Sequence, residues 1–193
     1  MGASGVGKTT LLSLVLGLRE PTAGRITFEG RPWSPLPEAE RRQRRPRMQA
    51  VFQEPLASLP PHRTGWEILA EPLVIWGRGT QPERRAAAAR MATRVKFPEA
   101  ALEQQPEAWS QGLAQRLCLG RALMLEPSLL VLDEPFSALD ATLAAHLLAL
   151  LLEVKAQGTA LLLASHDEDS IERLCEGVLR LSALSHQLSV TDS

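Results

Sequence analysis

Gly2, Gly7, Lys8 and Thr9 stand in the spacing G-x-x-x-x-G-K-[ST] within the opening run Met1-Gly2-Ala3-Ser4-Gly5-Val6-Gly7-Lys8-Thr9-Thr10. No other feature constrains the fold as tightly. Glycines let a backbone turn sharply enough for successive N–H groups to converge on one anion. The pattern assigns Gly2, Ala3, Ser4, Gly5, Val6, Gly7, Lys8, Thr9 and Thr10 to a phosphate cradle. Lys8 is expected at the β- and γ-phosphates, and the Thr9 hydroxyl on Mg²⁺. The apolar residues from Leu11 to Leu18 read as a helix whose positive N-terminal end faces that anion. Such a loop needs a buried strand ahead of it. With the glycine run at Met1, the expectation is a chain shortened at its N-terminus.

Composition narrows the field. A chain of 193 residues, 45% hydrophobic, suits one domain with a sizeable core. Its formal net charge of −1 gives no reason to expect nucleic acid or an anionic membrane as partner. Cys118 and Cys175 have neither CxxC spacing nor histidines around them, and read as buried thiols in a reducing compartment. No signal peptide is expected, because Met1 runs straight into the glycine loop. Val6 stands where a myristoylation signal requires Ser or Thr. The leucine-rich run 143–154 is interrupted by His146 and Glu153 and is too short to span a bilayer, so a membrane link is expected through a partner.

Along the chain, residues 25–29 alternate as a half-buried strand, and 30–37 read as a proline-rich loop. Arg41, Arg42, Arg44, Arg45 and Arg47 lack interleaved aromatics and read as a solvated basic segment. A short strand over 48–52 precedes helical patterns at 64–76 and 82–95, where Trp66 and Trp76 are expected to pack between helices. Ser110 opens a further helix reaching about Leu125. Leu129-Leu130-Val131-Leu132 is a continuous apolar run, the mark of a parallel strand covered on both faces. A helix over 142–156, a buried strand over 159–164, a helix over 168–175 and a strand over 178–181 complete the pattern, with a frayed polar tail from Ser182.

The chemistry gathers at strand ends, where ligands bind in open α/β sheets. Asp133 is placed to hold Mg²⁺ opposite Thr9, and Glu134 to polarise an attacking water as general base. His166 follows a different buried strand and is placed against the γ-phosphate. Gln53, just past a third strand, is a candidate for Mg²⁺ or the water.

In this order and spacing the residues resemble the ATP-binding subunits of ABC transporters, over nearly the whole chain. The run 2–9 is similar to the Walker A loop, 51–55 to the Q-loop and 129–135 to the Walker B strand with its catalytic glutamate. Ser137-Ala138-Leu139-Asp140 resembles the D-loop and Ser165-His166-Asp167 the switch histidine. Ala57-Ser58-Leu59-Pro60, the run 67–73 and the run 115–123 resemble dipeptide, oligopeptide and nickel importers in particular. The resemblance implies an α/β P-loop NTPase with a RecA-like parallel sheet core, at 1–53 and 122–193, and an inserted all-helical subdomain at about 54–121. It implies ATP and Mg²⁺ as cofactors, a second ATP-binding subunit, two membrane permease subunits, and a solute-binding protein acting indirectly. The implied location is the cytoplasmic face of the cell membrane, peripherally, through the permeases.

Two departures carry consequences. Where the family has Leu-Ser-Gly-Gly-Gln, this chain has Trp109-Ser110-Gln111-Gly112-Leu113. Ser110, Gly112 and Asp140 remain available for the nucleotide bound by the partner, but Gln111 adds a side chain and Leu113 removes a polar group. That favours a heterodimer, whose second site tolerates the loss. The family's adenine-stacking aromatic and its strands ahead of Walker A have no counterpart. Alternatives are a non-transport accessory ATPase, as in phosphonate metabolism, and a catalytically impaired truncated subunit.

Overall fold

The structure, a computed structural model, describes residues 7–182 and 185–192. It opens on α1 (Lys8–Val15), entered through Gly7 at φ 104°, a left-handed conformation that glycine adopts without a Cβ penalty. An antiparallel pair follows, β1 (Ile26–Phe28) with β2 (Arg31–Ser34). The strand β2 falls inside the segment expected to be a loop. Trp33 is the reason: it is fully buried, and its indole donates 2.9 Å to the Val15 carbonyl at the end of α1. A large aromatic with a satisfied N–H outweighs the turn signal of the surrounding prolines.

Only part of the arginine run is solvated: Arg42 and Arg47 are exposed, whereas Arg41 is buried and Arg44 and Arg45 are half-buried. The run folds as α2 (Glu38–Arg41) and a 3₁₀ turn over Arg42–Arg47. Arg44 and Arg45 lie over the Trp33 ring at 5.4 and 5.1 Å, and Arg45 donates 2.5 Å to the Leu16 carbonyl. Arg44 bonds the carbonyls of Pro32 and Phe28. Arg41 is buried beside Gly17. Guanidinium planes stack on aromatics while their donors satisfy carbonyls, Arg45 at the end of α1 and Arg44 in the β1–β2 hairpin, so these arginines become packing material.

The chain then enters the central sheet at β3 (Met48–Val51) and leaves it for three helices, α3 (Gly65–Ile75), α4 (Gln81–Arg94) and α5 (Gln111–Leu123). The first two start in reciprocal capping boxes, Thr64 with Glu67 and Thr80 with Glu83. At Gly120 a Cβ would lie 2.9 Å from a Leu69 methyl, which sets how closely α5 crosses α3. Trp66 is half-buried and packs on this core with Arg85 over its ring; Trp76 is half-buried too.

The sheet resumes at β4 (Leu129–Asp133), passes through α6 (Ala141–Ala156) to β5 (Ala160–Ala164), and continues into α7 (Glu168–Leu174). The order is β3-β4-β5, all parallel, with Val51 opposite Leu132 and Leu132 opposite Leu163. Side chains of β4 alternate between two cores. Leu130 and Leu132 join the cluster formed with α3, α5 and α6, while Val131 joins Leu12, Leu16 and Trp33. Burial on both faces is why that strand is apolar without a break.

The chain ends in β6 (Gly177–Ser182) and β7 (Ser185–Asp192), paired antiparallel. The tail expected to fray is therefore a strand, since a ladder uses backbone groups whatever the side chains are. Among the described residues β5 pairs only with β4, and beyond its other edge lies a groove of about 490 Å³, lined by Leu161, Leu163, Cys175, Val178 and Lys8. Among the same residues, no helix is long and apolar enough to cross a membrane.

Candidate active site

The parallel register brings the ends of β4 and β5 level, Asp133 opposite Ala164, and α1 begins beside them. Thr9 donates 3.0 Å to Asp133 Oδ2 from the first turn of that helix. Next to it, Lys8 Nζ donates 2.8 Å to Glu134 Oε1. The other carboxylate oxygen, Oε2, accepts from His166 Nδ1 at 2.9 Å and from the Ser165 hydroxyl at 3.4 Å. Three segments far apart in sequence thus converge on one buried acidic pair.

Burial pushes the Asp133 carboxyl above its usual range, against the opposing hydrogen bond from Thr9. Burial is also the largest influence on Glu134 and pushes it up. The hydrogen bonds from Lys8 and then His166, with their charges, outweigh burial and hold that carboxyl below the usual glutamate range.

Glu134 has φ 50°, the left-handed region that side chains of its kind rarely adopt, at a cost of about 1–3 kcal/mol. Both sides of it are held. Its N–H donates 2.8 Å to the Ala164 carbonyl. Its own carbonyl accepts from the Ser137 hydroxyl at 2.9 Å and from Gln115 Nε2 at 3.3 Å.

The remaining candidates are placed as follows. Gly2, Ala3, Ser4, Gly5 and Val6 lie outside the described residues, and Thr10 is exposed on α1. Gln53 is exposed two residues past β3, at the same edge of the sheet, and hydrogen-bonds none of these groups among the described residues. Ser110 caps α5 by accepting from the Leu113 N–H at 3.3 Å, and Asp140 caps α6 by accepting from the Leu143 N–H at 2.9 Å. A Cβ on Gly112 would lie 2.8 Å from the Ala138 carbonyl oxygen, so its close approach is to the 137–140 loop of this same chain. Leu113 packs against the core, and Trp109 is buried edge-on to Phe97.

Sequence reasoning assigned no role to Gln115, Ser137 or Ser165. Gln115 was the legible one: it is the amide in Leu113-Ala114-Gln115-Arg116-Leu117-Cys118, at a position the helical period turns inward.

The donor set suits a hard cation. The Thr9 hydroxyl and Asp133 carboxylate, 3.0 Å apart, offer the one or two protein oxygens that Mg²⁺ takes alongside phosphate and water. Lys8 and the N-terminus of α1 put positive charge at the same place, an arrangement that would suit an anion such as phosphate.

Comparison with known proteins agrees with this geometry. Residues 1–137 match the family described as ABC transporter. The chain is 42% identical over 182 residues, 94% of its length, to a Brucella ovis protein named as a peptide import ATP-binding protein. It is 39% identical over 180 residues, 93% of its length, to the nickel import ATP-binding protein NikE of Shigella dysenteriae. It spans 57% of the length of the first relative and 67% of the second. Among solved structures, the dimeric ATP-binding cassette MJ0796 bound to ADP and Pi superposes with a TM-score of 0.87 at 28% identity, covering 94% of this chain and 78% of that one. The start of α1, an acidic pair and a histidine meet at the ends of a parallel sheet, and the family match covers residues 1–137, well over half of the chain: the chain belongs to the ABC transporter family.

Proposed function

We propose that the chain is the ATP-binding and hydrolysing subunit of an importer of peptide or nickel type. The junction of Lys8, Glu134 and His166 beside the Thr9–Asp133 pair carries the ATPase reading, and the names of the relatives support the importer type. In this reading the 2–10 segment cradles the phosphates, with Lys8 on the β- and γ-phosphates. Thr9 and Asp133 hold Mg²⁺, with Gln53 as a further ligand, and the bound cation would draw charge from the phosphate oxygens. Glu134 takes a proton from water as that water's oxygen bonds to the γ-phosphorus. The bond to the bridging oxygen breaks and ADP leaves with the electron pair. His166 orients Glu134 and faces the γ-phosphate, and its ring, 75% exposed, is open to that contact.

The partners follow from the same reading. A second ATP-binding subunit would sandwich nucleotide against Ser110, Gly112 and Asp140, closing when Mg-ATP binds. The names of the Brucella and Shigella relatives and the dimeric cassette support that assembly. Gln111 and Leu113 favour a heterodimer. The helical segment at about 54–121 would receive two permease subunits, placing the chain on the inner face of the membrane.

The deciding experiment is calorimetric titration of the full chain with Mg-ATP, with Lys8→Ala as control. Binding that disappears in the control supports the reading. Equal binding by both, or none by a folded wild-type chain, removes it.

A further inference from the structure

We propose that Gln115 is a positioning residue for hydrolysis: its side-chain amide fixes the backbone turn that aims the Glu134 carboxylate. The inference rests on the reading of Glu134 as general base.

Gln115 is 2% exposed in the middle of α5. Its Nε2 donates to two consecutive carbonyls, Glu134 at 3.3 Å and Pro135 at 2.5 Å. Those carbonyls begin the turn that follows β4. Pro135 has no N–H, so this turn has one donor fewer with which to hold itself. Ser137 supplies part of the deficit, its hydroxyl and N–H both reaching the Glu134 carbonyl. The hydrogen bond on the Pro135 carbonyl comes from Gln115.

The amide is an expensive choice for packing alone. Gln115 Oε1 is buried with no hydrogen-bond partner. A methionine of the same length would fill the space without an orphaned acceptor. The donor has a use that packing does not explain. Glu134 is in a strained left-handed conformation, and such a residue stays there only where its surroundings over-determine it. Ala164 fixes its N–H, and Gln115 with Ser137 fixes its carbonyl. The carboxylate's direction follows from that backbone.

The test uses the full chain carrying Gln115→Met, which removes the orphan acceptor but leaves the Pro135 carbonyl without its donor. The two effects oppose each other, so the variant is expected to fold with at most a modest drop in melting temperature. Turnover of ATP should fall about tenfold or more, a fraction of what a general base supplies, while KM and calorimetric ATP affinity stay within about twofold. Amide hydrogen exchange gives a readout independent of activity: it should speed up at Glu134 and Ser137 and stay unchanged across the core of α5. Exchange unchanged at those two amides overturns the proposal, whether or not the wild-type chain hydrolyses ATP. Unchanged turnover in an active chain overturns it too. A wild-type chain that neither binds nor hydrolyses ATP would remove the ATPase reading separately, leaving the exchange result to decide the positioning role.

Discussion

Lys8 and Glu134 are joined at 2.8 Å across 126 residues of sequence, on the carboxylate oxygen that His166 does not use. The lysine expected on phosphate is thus bonded to the expected base, and a phosphate must compete for it. Removing the carboxylate charge weakens the competitor. Glu134→Gln is expected to bind Mg-ATP about threefold to tenfold more tightly than wild type, the equivalent of one hydrogen bond, while turnover drops about 10²-fold or more. Titration calorimetry and steady-state hydrolysis measure the two. Weaker binding would mean that Lys8 does not divide its time between these partners.

The signature departures lead to a second expectation. Gln111→Gly with Leu113→Gln restores the small residue and the polar group that the family has there. ATPase of the assembled dimer should rise; unchanged activity would show that the departures are harmless. Leu113 packs on the core, so the double variant should also melt slightly lower.

Gly112 faces two opposed effects. Alanine is a better helix former by about 1 kcal/mol. Its Cβ, however, would lie 2.8 Å from the Ala138 carbonyl oxygen, a backbone atom that cannot swing away. Overpacking of that kind costs about 1–3 kcal/mol, so the clash wins and Gly112→Ala is expected to lower stability. Urea unfolding gives the sign directly.

Trp33 is fully buried and carries the stack of Arg44 and Arg45. Trp33→Ala should cost about 3–5 kcal/mol. A loss of less than about 1 kcal/mol in chemical denaturation would return the arginine run to the status of a solvated segment.

At the start of α3, the Thr64 backbone N–H and then its hydroxyl hold the Glu67 carboxyl below its usual range. A carboxyl lowered in the folded state contributes stability that is present above its unfolded pKa, about 4.3. That contribution is lost as pH falls through the folded value. Glu67→Gln should therefore flatten the acid limb of a stability–pH curve below about pH 4.3 and leave its slope near neutrality unchanged.

What could be read in advance was local or periodic. The helices over 64–76 and 82–95 showed in their helical patterns, and β4 in its unbroken apolar run. The meeting of Lys8 and Thr9 with the acidic pair was legible because the motif they fit demands fixed residue types at fixed spacing. By itself the sequence determined the α/β class and the family, and it nominated the residues proposed to meet a nucleotide. It could not show that Trp33 would turn a proline-rich stretch into a strand, or that arginines would cover it, since those contacts join residues that no short window relates. Nor could it show Glu134 strained and held by Gln115, 19 residues earlier in the chain. Tertiary structure decided these points, because a backbone angle against local preference persists only when distant hydrogen bonds hold it there.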